Sequence, residues 1–121
     1  MIDSKISANV ENDSAVSGGI AAYNGGTITN CYNTGNVTES AYSGGVVGYN
    51  VRGTITNCYN TGTVTGTYYS GGIAGYQGTF TTYEETITNC YNTGNVTESA
   101  YSGGVVGYNV RGTITNCYNT G

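Results

Sequence analysis

The octapeptide Ile-Thr-Asn-Cys-Tyr-Asn-Thr-Gly occurs at residues 28–35, 55–62, 87–94 and 114–121, and it decides the fold. Its cysteines, Cys31, Cys58, Cys90 and Cys117, stand 27, 32 and 27 residues apart. Working outward, a Ser-Gly-Gly triplet recurs at Ser17, Ser43, Ser70 and Ser102, and a valine at Val10, Val37, Val64 and Val96. The chain thus divides into units 9–35, 36–62, 63–94 and 95–121, preceded by a leader, residues 1–8, that is read as a partial cap. A fixed period of this length marks units that cannot bury an apolar face alone and must stack on one another. Residues 28–62 and 87–121 are identical, so one sequence has to suit two places in the stack.

Each unit carries three extended segments, in the second unit residues 36–38, 45–49 and 54–59. They are rich in β-branched and aromatic residues, and Gly, Asn or Ser bounds them. This pattern predicts an all-β parallel β-helix (β-solenoid) of about four coils, three short strands per coil, with rungs about 4.8 Å apart. Alternation places Ile20, Val46, Ile73 and Val105 inside, and with them the small residues Ala22, Gly48, Gly75 and Gly107. It also turns Ile28, Ile55, Ile87 and Ile114 inward. Strict alternation would then send the cysteines outward. A left-handed corner at Asn30, Asn57, Asn89 and Asn116 resets the phase, since Asn tolerates positive φ better than other non-glycine residues. An Asn stack at that corner is expected to bond backbone groups from coil to coil. The third unit holds five extra residues between Tyr76 and Thr86, among them Phe80, Tyr83, Glu84 and Glu85. Arg52 and Arg111 occupy the same corner of the neighbouring units, so a solvated ion cluster worth about 0–1 kcal/mol per pair is expected there.

Composition narrows the function. Of 121 residues, 65 are Gly, Thr, Asn or Ser, and there is no Leu, Pro, Trp or His. A helical bundle lacks its usual residues here. No stretch approaches about 18 consecutive apolar residues, which argues against membrane insertion through a helix. Only Lys5, Arg52 and Arg111 are basic, too few for nucleic-acid binding. Without His there is no ordinary general base near neutral pH. The nearest thing to an acid–base pair is Glu84 and Glu85, beside Arg on a loop, while Glu39 and Glu98 lie in alternate units. Asp3 and Asp13 are the only aspartates, so a calcium-bound β-roll is not indicated. Catalytic, metal and cofactor sites are not expected. Met1 is followed by Ile2, Asp3, Ser4 and Lys5 with no apolar run, so no signal peptide is legible, and the chain reads as a piece of a longer protein.

Several side-chain columns follow from stacking. The cysteines would form a ladder of buried small hydrophobes. The rung spacing also allows strained disulfides between neighbours; convergent metal ligation is a third possibility. Tyr23, Tyr49, Tyr76 and Tyr108 form one outward ladder, and Tyr32, Tyr59, Tyr91 and Tyr118 another. Such rings either brace the wall or offer a surface for glycan or protein. Thr27, Thr29, Thr54, Thr56, Thr86, Thr88, Thr113 and Thr115 make a Thr-x-Thr array, either plain β-propensity or an ice-binding face. The open carboxyl end exposes apolar side chains and unpaired backbone, which predicts end-to-end self-association.

The strings Gly-Val-Val-Gly-Tyr-Asn, residues 45–50, and Gly-Thr-Ile-Thr-Asn-Cys-Tyr-Asn-Thr-Gly-Thr-Val, residues 53–64, resemble the GLUG motif repeat. The resemblance covers residues 9–121. The departures are Ile or Val for Leu, Ala22 for Gly, and Cys for the usual Ser. It implies a right-handed helix in a secreted or cell-surface bacterial protein, of the kind found in large adhesins and in non-catalytic regions of IgA-specific peptidases. The expected role is a structural repeat segment, a spacer and adhesion display surface, whose partners are host or cell-surface proteins or glycans. The alternative is a specific ligand-binding module, for glycan through Tyr or for ice through Thr.

Overall fold

A computed structural model describes residues 5–6, 10–11, 15–79, 84–97 and 100–121. Most of the leader, Phe80 and Tyr83 of the insertion, Asp3, Asp13 and Glu98 lie outside the described residues. All described secondary structure is β, with no helix. Two short strands, β1 (Lys5–Ile6) and β2 (Val10–Glu11), come first. Then follow β3 (Val16–Gly18), β4 (Ala21–Asn24), β5 (Thr27–Thr29) and β6 (Tyr32–Asn33). The second unit supplies β7 (Val37–Gly44), β8 (Val47–Asn50), β9 (Thr54–Thr56) and β10 (Tyr59–Asn60). The third supplies β11 (Val64–Gly71), β12 (Ala74–Gly78), β13 (Thr86–Thr88) and β14 (Tyr91–Asn92). The fourth supplies β15 (Val96–Thr97), β16 (Tyr101–Gly103), β17 (Val106–Val110), β18 (Thr113–Thr115) and β19 (Tyr118–Asn119).

Equivalent strands of successive units pair in parallel, in four sheets. The first runs β1-β6-β10-β14-β19, the second β4-β8-β12-β17 and the third β5-β9-β13-β18. In the fourth, β7 and β11 pair at the centre, flanked by β2 and β3 on one side and β15 and β16 on the other. Register is unit on unit: Ile28 pairs with Ile55 and Ile55 with Ile87, then Ile87 with Ile114. The arrangement is consistent with a parallel β-helix. A complete unit gives four strands, however, and not the three read from the sequence. The segment 54–59 breaks in two at Asn57, whose φ is 55°, and Asn30, Asn89 and Asn116 break their units in the same way. The segment read as residues 36–38 extends to Gly44 in the second unit.

That corner brings the cysteines back inside. Cys31, Cys58 and Cys90 are buried with Ile28, Ile55, Ile87, Val46 and Ile73, and none of the four cysteines is in a disulfide. Each donates to the carbonyl two residues before it, as Cys58 Sγ does to Thr56 O at 3.3 Å. Cys58 and Ile28 O, Cys90 and Ile55 O, and Cys117 and Ile87 O are joined across units at 3.6–3.8 Å. Between Cys58 and Cys90 a mutual hydrogen bond eases the first toward about 7 and, with burial, drives the second upward. Both sulfurs sit in an apolar column, so for this pair the upward direction is the one that governs.

Two details depart from simple alternation. Val46 and Val47 are consecutive yet both fully buried, because the chain bends at residues 45–46 before β8 begins. Ala22, read as interior, is exposed. It lies in the first repeat, and among the described residues no strand passes beneath β4.

The Asn stack expected at Asn30 and its equivalents forms elsewhere. Those side chains are exposed, and the bonding ladder runs through Asn33, Asn60, Asn92 and Asn119. Each amide Nδ2 donates to Oδ1 of the next residue at 2.8 Å. It also donates to its own Gly carbonyl two residues on, and Oδ1 accepts that glycine's N–H, as for Asn60 with Gly62. Interior members therefore use both donors and both acceptor sites. The ladder leans on Gly19, Gly45, Gly72 and Gly104, where a Cβ would collide with the amide carbons of Asn33, Asn60, Asn92 and Asn119. A second ladder links Asn24, Asn50, Gln77 and Asn109 at 3.0–3.3 Å.

Candidate functional surface

The Tyr columns form because an in-register parallel sheet sets equivalent rings about 4.8 Å apart, near the separation at which aromatic faces stack. On the sheet beginning with β1, Tyr32, Tyr59, Tyr91 and Tyr118 stack with centroids 4.6, 4.8 and 5.0 Å apart and planes within 8°. On the sheet beginning with β4, Tyr49 and Tyr76 stack at 4.6 Å and Tyr76 and Tyr108 at 5.3 Å, with Tyr23 tilted at 5.9 Å.

A third column, missed in the sequence, joins the second. Tyr42, Tyr69 and Tyr101 stack at 5.2 and 5.1 Å. They meet the neighbouring column edge to face, Tyr42 with Tyr49 at 6.0 Å and 82° and Tyr69 with Tyr76 at 5.4 Å and 74°. Tyr68 adds an edge contact to Tyr69 at 4.7 Å. The signal was present as a tyrosine before three of the Ser-Gly-Gly triplets, but the first unit has Val16 there, which hid the column. The result is a patch of eight tyrosines at one corner, with Tyr23, Tyr68, Tyr101 and Tyr108 exposed at 64, 50, 49 and 40%. Burial first, then neighbouring phenols, pushes the hydroxyls of Tyr49, Tyr69 and Tyr76 above the ordinary tyrosine value. Glu85 adds to the rise at Tyr49.

The threonines flank the buried isoleucines on β5, β9, β13 and β18, in the register Thr27, Thr54, Thr86, Thr113 and Thr29, Thr56, Thr88, Thr115. Some of their hydroxyls are used inside the sheet. Thr86 Oγ1 donates to Thr54 Oγ1 at 3.3 Å, and Thr29 Oγ1 to Thr56 O at 3.3 Å.

At the corner of the insertion the expected solvated ion cluster is replaced by a buried carboxylate. Glu84 is exposed, but Glu85 is fully buried. Its Oε1 accepts the backbone N–H of Arg52 at 2.8 Å and the hydroxyl of Thr79 at 3.3 Å. Its Oε2 is buried without a hydrogen-bond partner. Arg52 and Arg111 turn the chain themselves, with φ of 59° and 60°. So Arg52 meets Glu85 through its backbone. Among the described residues no three His, Cys, Asp or Glu side chains converge as a metal site would require.

The units seen in space coincide with those of a known sequence family. The family model described as the GLUG motif matches residues 13–38, 39–65, 66–97 and 98–121. Each match begins a few residues inside the corresponding unit. No curated protein matches the chain significantly, and no solved structure does. Four consecutive matches over most of the sequence, following one another with the period of the strand layers, mean that the chain belongs to the GLUG motif family.

Proposed function

We propose that the chain is a non-catalytic structural repeat segment of a bacterial cell-surface or secreted protein, a stiff spacer that displays an adhesive surface. Its four repeats are four coils of a right-handed β-helix in this reading. The observation that carries it is the pair of amide ladders that bond each repeat to the next, Asn33–Asn60–Asn92–Asn119 and Asn24–Asn50–Gln77–Asn109. The GLUG repeats support a segment of a larger protein. Polar groups are spent on bonding between repeats, as in the Asn33–Asn60–Asn92–Asn119 ladder.

The eight-tyrosine corner favours one binding mode over the others. Broad, rigid aromatic faces with hydroxyl tips suit the faces of sugar rings or an extended polypeptide. The threonine array is a weaker candidate, because some of its hydroxyls bond within the sheet. Beads coated with the protein, tested on glycan arrays and host-cell surfaces, provide the test. Adhesion that falls on Tyr101→Ala with Tyr108→Ala, with the fold intact by circular dichroism, is the expected result. Thermal hysteresis in ice-growth assays, with no adhesion, would replace this reading by the threonine one. A well-folded protein silent in both leaves the spacer role alone.

A further inference from the structure

Tyr59 stands inside the column Tyr32, Tyr59, Tyr91 and Tyr118, with a partner on either side. Strand β10 pairs with β6 and with β14, in a register that sets Tyr59 against Tyr32 and against Tyr91. Backbone bonds pin the layers, Tyr59 N–H to Cys31 O at 3.2 Å and Tyr91 N–H to Cys58 O at 3.1 Å. The Tyr59 ring lies 4.6 Å and 8° from that of Tyr32, and 4.8 Å and 3° from that of Tyr91. Rings related by one strand spacing keep the same orientation, so hydroxyl stands by hydroxyl and ortho carbon by ortho carbon. The Tyr59 hydroxyl indeed has a side-chain hydrogen bond with Tyr32 and feels the phenol of Tyr91.

Bracing a wall needs only flat rings. A phenol adds chemistry, because it can lose one electron and one proton to leave a phenoxyl radical with spin on its ortho carbons. Two such radicals held side by side combine without having to find each other. The other columns are less free to do this. Tyr42 is wedged against Tyr49 at 82° and Tyr69 against Tyr76 at 74°, so a ring there cannot tilt toward its stacking neighbour without giving up an edge contact. Among the described residues no ring of another column packs on Tyr59 or Tyr91, and both are half-buried. Cys58 and Cys90, each one residue earlier in the chain, are buried away from an oxidant, which leaves the part-exposed Cys117 as the competing thiol.

We propose that Tyr59 is a site of oxidative cross-linking, joined to Tyr32 or to Tyr91 as dityrosine by a one-electron oxidant of the haem-peroxidase class acting with hydrogen peroxide. Each phenol gives up its hydroxyl hydrogen as one electron and one proton. An ortho carbon of one ring then bonds to an ortho carbon of the other. The hydrogens on those two carbons leave as protons, the two oxygens take up protons, and both phenols are restored. Hydrogen peroxide accepts the two electrons and two protons, its O–O bond breaks, and it leaves as two waters. The product is a covalent tie between successive repeats, which none of the four cysteines provides, and it restricts the unfolded chain as any cross-link does.

The full chain, with Cys117 first blocked by a thiol reagent, is treated with a haem peroxidase and hydrogen peroxide, denatured and cut with trypsin after Lys5, Arg52 and Arg111. Tyr32 then lies in fragment 6–52, and Tyr59 and Tyr91 in fragment 53–111. Dityrosine fluorescence is expected in protein of monomer size, at a yield that does not change on dilution. Mass spectrometry is expected to find fragments 6–52 and 53–111 joined with the loss of two hydrogens. Tyr59→Phe keeps the stacked ring without the phenol and is expected to abolish that joined pair, whereas Tyr49→Phe leaves it. Circular dichroism checks each fold, and if Tyr59→Phe is unfolded, Tyr32→Phe removes the other member of the joined pair in its place. The proposal is overturned if dityrosine forms only in covalent dimers, if the joined pair survives in folded Tyr59→Phe, or if a peroxidase that couples free tyrosine makes no dityrosine in the folded chain.

Discussion

Asn60 and Cys58 sit two residues apart and hold the structure in opposite ways. Asn60 is polar and buried, and it can be so only because all of its donors and acceptor sites are used. Asn60→Ala strands the amides of Asn33 and Asn92 and the backbone of Gly62. Buried groups left unsatisfied cost about 1–3 kcal/mol each, so a loss of at least about 3 kcal/mol is expected in urea unfolding. Asn119→Ala, at the exposed end of the same ladder, should cost a small fraction of that. Cys58 is buried for its size, as a small apolar group with a weak donor. Labelling of the native protein with a thiol reagent should modify Cys117 and spare Cys31, Cys58 and Cys90 until the chain unfolds. Rapid reaction at all four would contradict the buried column. The octapeptide made the cysteines and the Asn30 corner legible. Which asparagine forms the ladder was not legible, because both recur with the same period and only the positive φ at the first turns its side chain outward.

The tyrosine columns show how a sheet converts a repeat into a surface. Each stacked pair adds about 0.5–1.5 kcal/mol beyond burial, and in-register pairing repeats it at every layer. The same stacking carries a cost at high pH. The folded hydroxyls of Tyr49, Tyr59, Tyr69 and Tyr76 hold their protons above the ordinary value near 10. The unfolded chain then releases protons first, so stability is full below pH 10 and declines as pH rises through the folded values. Absorbance titration at 295 nm should show part of the tyrosines ionising late, and denaturant midpoints should fall over the same range. Coincident ionisation of all thirteen near 10 would remove this account. Two of the columns could be read from sequence. The third needed the fold, since it arises where two sheets meet and its members pair across that corner.

Stacked repeats are stabilised by their neighbours, so place in the stack decides what a residue is worth. Ile55 and Ile114 have identical sequence surroundings from residue 28 and residue 87 onward, yet one is fully buried and the other 39% exposed. Ile55→Ala is expected to cost about 2–5 kcal/mol, the range for emptying a core site. Ile114→Ala should cost well under half of that in the same thermal or urea denaturation. Equal losses would mean that the two layers are not stacked as described.

Period and residue type were enough to determine that the chain is a stack of parallel β layers, because a unit too small to bury its own apolar face can satisfy it only against a copy of itself. Tertiary structure alone decided which members of each recurring set are buried, exposed or bonded, where the tyrosines converge, that Glu85 is enclosed and that Ala22 faces outward. Those outcomes depend on what lies one layer above or below, and identical sequences at different heights in the stack do not share the same neighbours.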